Sequence, residues 1–190
     1  MPDGSGNGYL ADDGGYYSAT FTGGGKLSAP VLLSSGTVWA YAVRYRAVAT
    51  HGIIGCVVGW NTSPTADARW VVACVYATDL ANARFGQIAT NTDAATSGAT
   101  TGLGVGTAWQ TLYVERDGST LYVTIAGETY TATVPAGAQS INRINVGWLN
   151  HSGSSHIYPF TGAVSHIGFN RTRRWTAQQR TNNSAWTPPP

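Results

Sequence analysis

Apolar residues recur at every second position in many short stretches of this 190-residue chain. In residues 38–45, every odd-numbered position is aromatic or aliphatic, so one face of a strand would be apolar. Asp117 and Gly118 separate two such stretches, 112–116 and 120–125, and Asp-Gly in that setting predicts a β-hairpin. The pattern therefore predicts an all-β chain.

Clusters of Gly, Ser, Thr and Asn separate the alternating stretches at fairly regular intervals, which is typical of sandwiches and barrels. Further strands are expected at 19–21, 26–31, 52–60, 69–77, 84–89, 128–134, 143–148 and 160–169. Thr176 and Gln179 fit a capping box, which predicts one short helix beginning near Thr176. Residues 91–106 are rich in Ala, Thr and Gly and are expected to form a flexible surface loop.

The two cysteines lie in two stretches that would pair as antiparallel strands. If paired residue numbers sum to 130, Cys56 faces Cys74 and Trp60 faces Trp70. A disulfide demands specific Cβ geometry and an oxidising compartment, so we favour two buried free thiols, with a disulfide as the alternative.

The order of motifs in the second half resembles the laminin-G-like, concanavalin A-like jelly-roll family. A Trp109 strand leads to the Asp117-Gly118 hairpin, and Ile-Asn-Val-Gly at 144–147 and Phe-Thr-Gly-Ala-Val at 160–164 follow. Ile-Gly-Phe-Asn-Arg at 167–171 then precedes the capped helix. The resemblance implies an antiparallel two-sheet jelly-roll sandwich with one short C-terminal helix.

The resemblance also sets the expected domain boundaries and shows two departures. It implies an N-terminal arm at 1–17, a jelly-roll domain at 18–186 and a proline-rich tail at 187–190. Ala126 stands where the family often has Asn before Gly, and Arg180 stands where its helix usually has an aliphatic residue. The family hosts lectins, adhesion modules, hydrolases and virion proteins, so the fold alone implies no function.

Catalysis by paired carboxylates is not expected. A glycosidase needs two acidic groups across the sugar bond, and the only glutamates are Glu115 and Glu128. Asp117, next to Glu115, is explained by the hairpin turn. We therefore expect a chain that is not an enzyme, in which Glu115→Gln and Glu128→Gln change nearly nothing.

No cofactor is expected. Calcium needs six to eight oxygen ligands, whereas Asp12-Asp13 is the only adjacent acidic pair; a site built partly from backbone carbonyls is the alternative. His151, His156 and His166 lack the fixed spacing of a zinc site and are interpreted as ordinary surface and strand residues.

Arginine and aromatic side chains supply the candidate interface or ligand residues. Arginines cluster beside Trp175, where guanidinium groups could dock a neighbouring subunit or an acidic polymer, or form a solvated edge. Exposed aromatic rings could stack on sugars or anchor protein contacts. The candidates are Tyr16, Tyr17, Trp60, Arg171, Arg173, Arg174, Trp175 and Trp186. By contrast, Trp39, Trp109 and Trp148 lie in strand patterns and are expected in the core.

Two functions follow from these features. The first is a non-catalytic virion structural protein, a phage capsid decoration or cement protein or a tail or fibre component. A chain poor in charge (11%), rich in Gly and without an export signal suits synthesis in a host cytoplasm and packing in a virion. Its partners would be neighbouring protein subunits, in a homo-oligomer or larger assembly.

The alternative is a lectin-like carbohydrate-binding module, for example one that recognises glycans on a host cell surface. The family resemblance and the abundant aromatic residues favour it. Neither function involves nucleic acid, because the net charge is only +2. Neither involves a membrane, because the longest apolar stretch, 52–60, is far shorter than the roughly 20 residues that span a bilayer.

Overall fold

The alternating stretches form strands in the computed structural model of the chain. The structure describes residues 19–25, 27–47, 52–60, 69–77, 83–88, 95–100, 103–133, 139–146, 148–151, 154–157, 160–170 and 174–185. The expected arm at 1–17 and tail at 187–190 lie outside these residues. No helix in the described part of the chain is long and apolar enough to cross a membrane.

Strands account for most of the described residues. They are β1 (Ala19–Gly25), β2 (Leu27–Gly36), β3 (Val38–Ala47), β4 (Gly52–Trp60), β5 (Arg69–Ala77), β6 (Ala83–Ile88), β7 (Ala95–Thr100), β8 (Gln110–Asp117), β9 (Thr120–Ile125), β10 (Glu128–Thr133), β11 (Gln139–Val146), β12 (Trp148–His151), β13 (Ser154–Ile157) and β14 (Phe160–Asn170). The helix α1 (Ala177–Ala185) follows them.

The strands form two antiparallel six-stranded sheets. The first sheet has the order β1-β14-β3-β8-β9-β10, and the second has the order β2-β11-β4-β5-β6-β7. Strands β12 and β13 form a separate two-stranded ribbon. This is the all-β sandwich that the sequence predicts.

The hydrophobic core draws on alternate residues of both sheets. Trp39, Tyr41, Val43 and Tyr45 of β3 are fully buried, which confirms the predicted apolar face of residues 38–45. The second sheet contributes Ile54, Ile144 and Val146. Burial of these side chains is the main favourable contribution to folding, at about 1.5–3 kcal/mol for each large aliphatic or aromatic residue.

The predicted pairing of β4 with β5 is confirmed at the cysteines and wrong at the tryptophans. Cys56 is the ladder partner of Cys74, whereas Trp60 pairs with Arg69 and Gly59 pairs with Trp70. Irregularities on both sides of the cysteines shift the register by one residue. A bulge places two residues against one, and the alternation of side chains does not show where it falls.

The expected surface loop at 91–106 is wrong in two respects. Residues 95–100 form β7, which pairs with β6 at the edge of the second sheet. Leu103 and Val105 are buried in the core, and the Tyr45 hydroxyl donates a hydrogen bond to the Val105 carbonyl oxygen at 3.1 Å.

Two hairpin turns connect β8, β9 and β10. Asp117 pairs with Thr120, so the predicted hairpin is confirmed, and Gly118 and Ser119 close it with φ +60° at Gly118. In the next turn, Ala126 has φ +53° and Gly127 has φ +86°. Positive φ at both central residues defines a type I′ turn. This turn matches the right-handed twist of the flanking strands, and its usual sequence is Asn-Gly.

The capping box predicted at the start of α1 is confirmed. The Gln179 backbone N–H donates to Thr176 Oγ1 at 3.2 Å, and the Thr176 N–H donates to Gln179 Oε1 at 3.0 Å. These bonds satisfy backbone donors that the first turn of a helix leaves unpaired. Thr176 is therefore the N-cap residue, and α1 begins at Ala177.

Candidate functional site

The outer face of the first sheet carries the charged and aromatic side chains. We call this surface the helix-bearing face, because α1 lies on it. It consists of the positions that alternate with the core residues, in rows across neighbouring strands. The rows are Ala40–Glu115–Tyr122, Gly168–Ala42–Tyr113 and Arg44–Thr111.

A buried carboxylate lies at the centre of the first row. Glu115 is 0% exposed, although its side chain lies on the outer face of the first sheet. Its Oε1 accepts the Trp175 backbone N–H at 2.7 Å, and its Oε2 accepts Arg180 Nη2 and, at 3.4 Å, Arg174 Nη2. A carboxylate with three donors around it is a fully compensated buried charge.

Both arginines also lie over tyrosine rings of the sheet. The Arg174 guanidinium carbon is 3.9 Å from the centroid of the Tyr122 ring. The Arg180 guanidinium carbon is 4.8 Å from the centroid of the Tyr113 ring, whose hydroxyl donates to the Arg180 carbonyl oxygen at 2.9 Å. Cation–π contacts and ionic contacts thus act jointly to hold α1 on the sheet.

Trp175 packs on the second row, beside this cluster. Its ring meets Tyr113 edge-on, with centroids 6.4 Å apart. A Cβ added at Gly168 would lie 3.0 Å from Trp175 Cη2, so the indole approaches the backbone of β14 closely. Gly168 and its ladder neighbour Ala42 leave the space that the indole occupies.

The Glu115 finding corrects the expectation that this residue is an inert surface group. Its carboxylate is buried and fully engaged by donors, so it has no free lone pair facing solvent for proton transfer. Glu128 is exposed, and its strand positions alternate with Thr129, whose hydroxyl meets Thr124 on the helix-bearing face. The two glutamates therefore lie on opposite faces of the first sheet and cannot flank one sugar bond.

A second group of polar side chains occupies the other end of the helix-bearing face. Arg44 is 4% exposed, and its Nη1 donates to Thr111 Oγ1 at 3.1 Å. Arg46, two residues further along the same face, is exposed, and its guanidinium carbon lies 5.5 Å from the centroid of the Trp109 ring. We call Arg44, Arg46, Trp109 and Thr111 the arginine–tryptophan cluster.

Burial lowers the pKa of Arg44, and the nearby Tyr113 hydroxyl opposes that effect. The buried Nε of Arg44 has no hydrogen-bond partner among the residues that the structure describes. The equally buried Arg116, on the core side of β8, places its Nε on the Gly118 carbonyl at 2.8 Å. Arg44 is thus a buried cation with an unused donor.

The structure describes three of the eight predicted site residues. Arg174 and Trp175 meet at the Glu115 carboxylate, and Trp60 ends β4 in the second sheet. The other five lie outside the described residues, namely Tyr16, Tyr17, Arg171, Arg173 and Trp186. The interface or ligand role of all eight stays a prediction.

The sequence analysis did not single out the residues that accompany Arg174 and Trp175. Trp109, which was expected in the core, is partly exposed beside Arg46. The sequence did contain a signal for this exposure. Trp109 is an even number of residues from Thr111, Tyr113 and Glu115, so in an alternating strand it falls on their face and not on the core face. Nothing in the alternation shows that Arg180 reaches Glu115, because 65 residues separate them.

The described residues contain no group of three or more His, Cys, Asp or Glu side chains that could hold a metal ion. This statement covers only that part of the chain.

Comparison with known proteins finds similarity at the level of structure. No protein-family model matches the chain, and no curated protein matches its sequence. A fragment of the mouse laminin α1 chain, domains LG4-5, superposes with a TM-score of 0.53 at 15% identity. The match covers 86% of this chain and 45% of that chain, so this chain spans less than half of the laminin fragment.

In two further matches, the similarity extends over most of the length of the matched chain. The CBM40 module of the Ruminococcus gnavus IT-sialidase has a TM-score of 0.56 at 13% identity, over 83% of this chain and 98% of that chain. The same module has been solved with α2,3- and α2,6-sialyllactose bound. Alginate lyase A1-II′ has a TM-score of 0.56 at 9% identity, over 87% of this chain and 86% of that chain.

These similarities show that the fold is a laminin-G-like, concanavalin A-like jelly roll, as the sequence motifs imply. At such low identity they show the fold alone. They give no support to a phage origin, a virion role or a subunit partner, because the matched structures named above are laminin domains, a carbohydrate-binding module and a lyase.

Proposed function

We propose that the chain is a non-catalytic carbohydrate-binding module. The observation that carries the proposal is its match to the sialidase CBM40 module, of which 98% is covered. The similarity therefore extends over a complete glycan-binding module. The function expected first, a virion structural role, has no comparable support.

The arginine–tryptophan cluster supplies the chemistry that a sugar ligand needs. Trp109 is partly exposed, and an exposed indole ring can stack on the apolar face of a sugar ring. The exposed Arg46 beside it offers hydrogen-bond donors for hydroxyl groups. An aromatic platform with a few polar groups around it is a typical arrangement for small-ligand recognition.

The glutamates support binding without catalysis. Glu115 is committed to α1, and Glu128 lies on the opposite face of the sheet. The lyase match concerns the fold, and the buried Glu115 is already bound by donors from Arg174, Trp175 and Arg180.

A glycan array probed with the labelled full chain, followed by isothermal titration with the strongest ligands, tests the proposal. We expect binding in the micromolar to millimolar range, with affinity at least tenfold lower in Trp109→Ala. Glu128→Gln is the matched control, since Glu128 is exposed and away from the cluster. Absence of binding to every glycan, or hydrolysis or elimination of a bound polysaccharide, would overturn the proposal.

A further inference from the structure

We propose that the arginine–tryptophan cluster recognises the carboxylate group of an acidic sugar, with Arg44 as its cationic partner. This inference rests on the proposed carbohydrate-binding function and specifies the class of glycan. It begins from the unusual state of Arg44. A guanidinium that is 4% exposed is normally held by a carboxylate or by several acceptors.

Arg44 has one described side-chain hydrogen bond, from Nη1 to the Thr111 hydroxyl at 3.1 Å. Its Nε is buried without a partner among the described residues. A guanidinium carries five N–H donors in a planar fork, so one neutral hydroxyl satisfies only a small part of it. A ligand acceptor can reach Nε only if the side chains that cover Arg44 move aside.

The cluster also lacks a counterion within the described chain. The nearest described carboxylate on the same face is Glu115, four residues along β8 from the Arg44 partner Thr111, or roughly 13 Å at the usual strand rise. That carboxylate is already bound by Arg174, Arg180 and the Trp175 N–H. Arg44 and the exposed Arg46 thus form a local excess of positive charge.

The side chains of the cluster become less exposed from Arg46 and Trp109 to Arg44 and Thr111, and this gradient suits a sugar acid. Arg46 is exposed, Trp109 is partly exposed, and Arg44 and Thr111 are buried. A sugar ring stacked on Trp109 would meet solvent on its outer side and Arg44 on its inner side. A carboxylate on that ring would accept two parallel bonds from the guanidinium, which a hydroxyl group cannot do.

Isothermal titration of the full chain with 3′-sialyllactose, glucuronate, lactose and lactose 3′-sulfate tests the inference. We expect the two carboxylate sugars to bind at least tenfold more tightly than lactose. Arg44→Gln should lower the affinity for the two carboxylate sugars at least tenfold and so remove that preference. Glu128→Gln should retain the wild-type preference.

The outcomes separate this inference from the proposed function. Binding of lactose and sialyllactose with equal affinity would overturn the inference and leave the proposed function standing. Equal binding of the sulfated and the carboxylate sugars would overturn the preference for a carboxylate. Absence of binding to all four probes overturns the inference, and the glycan array decides the proposed function independently.

Arg44→Gln could lower stability, so a second measurement uses the unmodified protein. Glucuronate should raise the melting temperature of the wild type more than glucose does at equal concentration and ionic strength, because it binds the folded state. Arg46→Gln, which alters an exposed residue, should reduce that difference. An equal shift with both sugars would contradict the inference.

Discussion

The Nη2 group of Arg180 donates to the Oε2 atom of Glu115, which joins the first turns of α1 to the middle of β8. The helix spans nine residues, AQQRTNNSA, and has no apolar stripe that could hold it on the sheet. Helices this short are marginal in water without tertiary contacts. The ion pair, together with Trp175 before the helix, therefore holds α1 on the sheet.

Glu115→Gln should destabilise the fold by about 3 kcal/mol, at the lower end of the cost of breaking a buried ion pair. The amide keeps an acceptor for the Trp175 N–H but turns a donor group toward Arg174 and Arg180. Arg180 is 27% exposed, and hydration of its guanidinium limits the loss. Urea unfolding monitored by circular dichroism measures the change.

Glu128→Gln is the control, because it makes the same chemical change at an exposed position. It should alter the free energy of unfolding by less than about 0.5 kcal/mol. Equal effects of the two substitutions would show that the Glu115 pair contributes nothing specific.

The close approach of Gly168 and Trp175 gives a second prediction. A Cβ at Gly168 would lie 3.0 Å from Trp175 Cη2, and a valine would extend further into the indole. Gly168→Val should therefore cost about 1–3 kcal/mol by overpacking, although valine favours strands. In a Trp175→Ala background this penalty should disappear, and a double-mutant cycle from thermal unfolding measures it. A penalty that persists would place its cause elsewhere.

Ala126 in the second hairpin turn provides a third prediction. Its φ of +53° is a conformation that costs an L-residue with a Cβ roughly 1–2 kcal/mol. Ala126→Asn should raise the free energy of unfolding by about 1 kcal/mol, since Asn tolerates this conformation. Chemical denaturation would record a higher midpoint with an unchanged slope.

Gly127→Ala is the matched change in the opposite direction. Its φ is +86°, and an added Cβ would have no neighbour within 4 Å, so any loss comes from the backbone alone. We expect a loss of about 1 kcal/mol or more. If Ala126→Asn lowers stability, the turn geometry is not the cause of the strain.

The fold could be predicted from the sequence because alternation and turn residues act locally. The faces of β3 and the hairpin at Gly118 follow directly from neighbouring residues. The strand β7 was missed because its small residues signal a loop, whereas its pairing depends on β6. The register of Trp60 was missed because a bulge is decided by contacts across the whole sheet.

The site was less predictable, because its contacts join distant parts of the chain. The sequence pointed to Arg174 and Trp175 through their clustering, yet their shared acceptor is Glu115, about sixty residues earlier. Arg44 was missed for a related reason. A single arginine in an alternating strand suggests a solvated position, and only the structure shows that it is buried, with an Nε that has no partner among the described residues.

The buried Tyr45 hydroxyl gives the last prediction, which concerns alkaline stability. Burial raises the pKa of Tyr45 well above its ordinary value, and its hydroxyl donates to the Val105 carbonyl oxygen at 3.1 Å. The unfolded chain releases this proton above pH about 10, whereas the folded chain keeps it. The unfolded state then binds fewer protons, so stability is fully present below pH 10 and falls as the pH rises further.

Tyr45→Phe separates the hydrogen bond from the titration. At pH 7 the variant should be about 1–2 kcal/mol less stable, because the Val105 carbonyl loses its donor. Above pH 10 the wild type should lose up to about 1.4 kcal/mol per pH unit through Tyr45, and the variant lacks this loss. The gap between the two proteins should therefore narrow from pH 10 to 11.5 in urea unfolding curves. A constant gap over this range would mean that Tyr45 titrates alike in the folded and unfolded chains. Burial would then impose no cost on the ionised hydroxyl, and the prediction would be wrong.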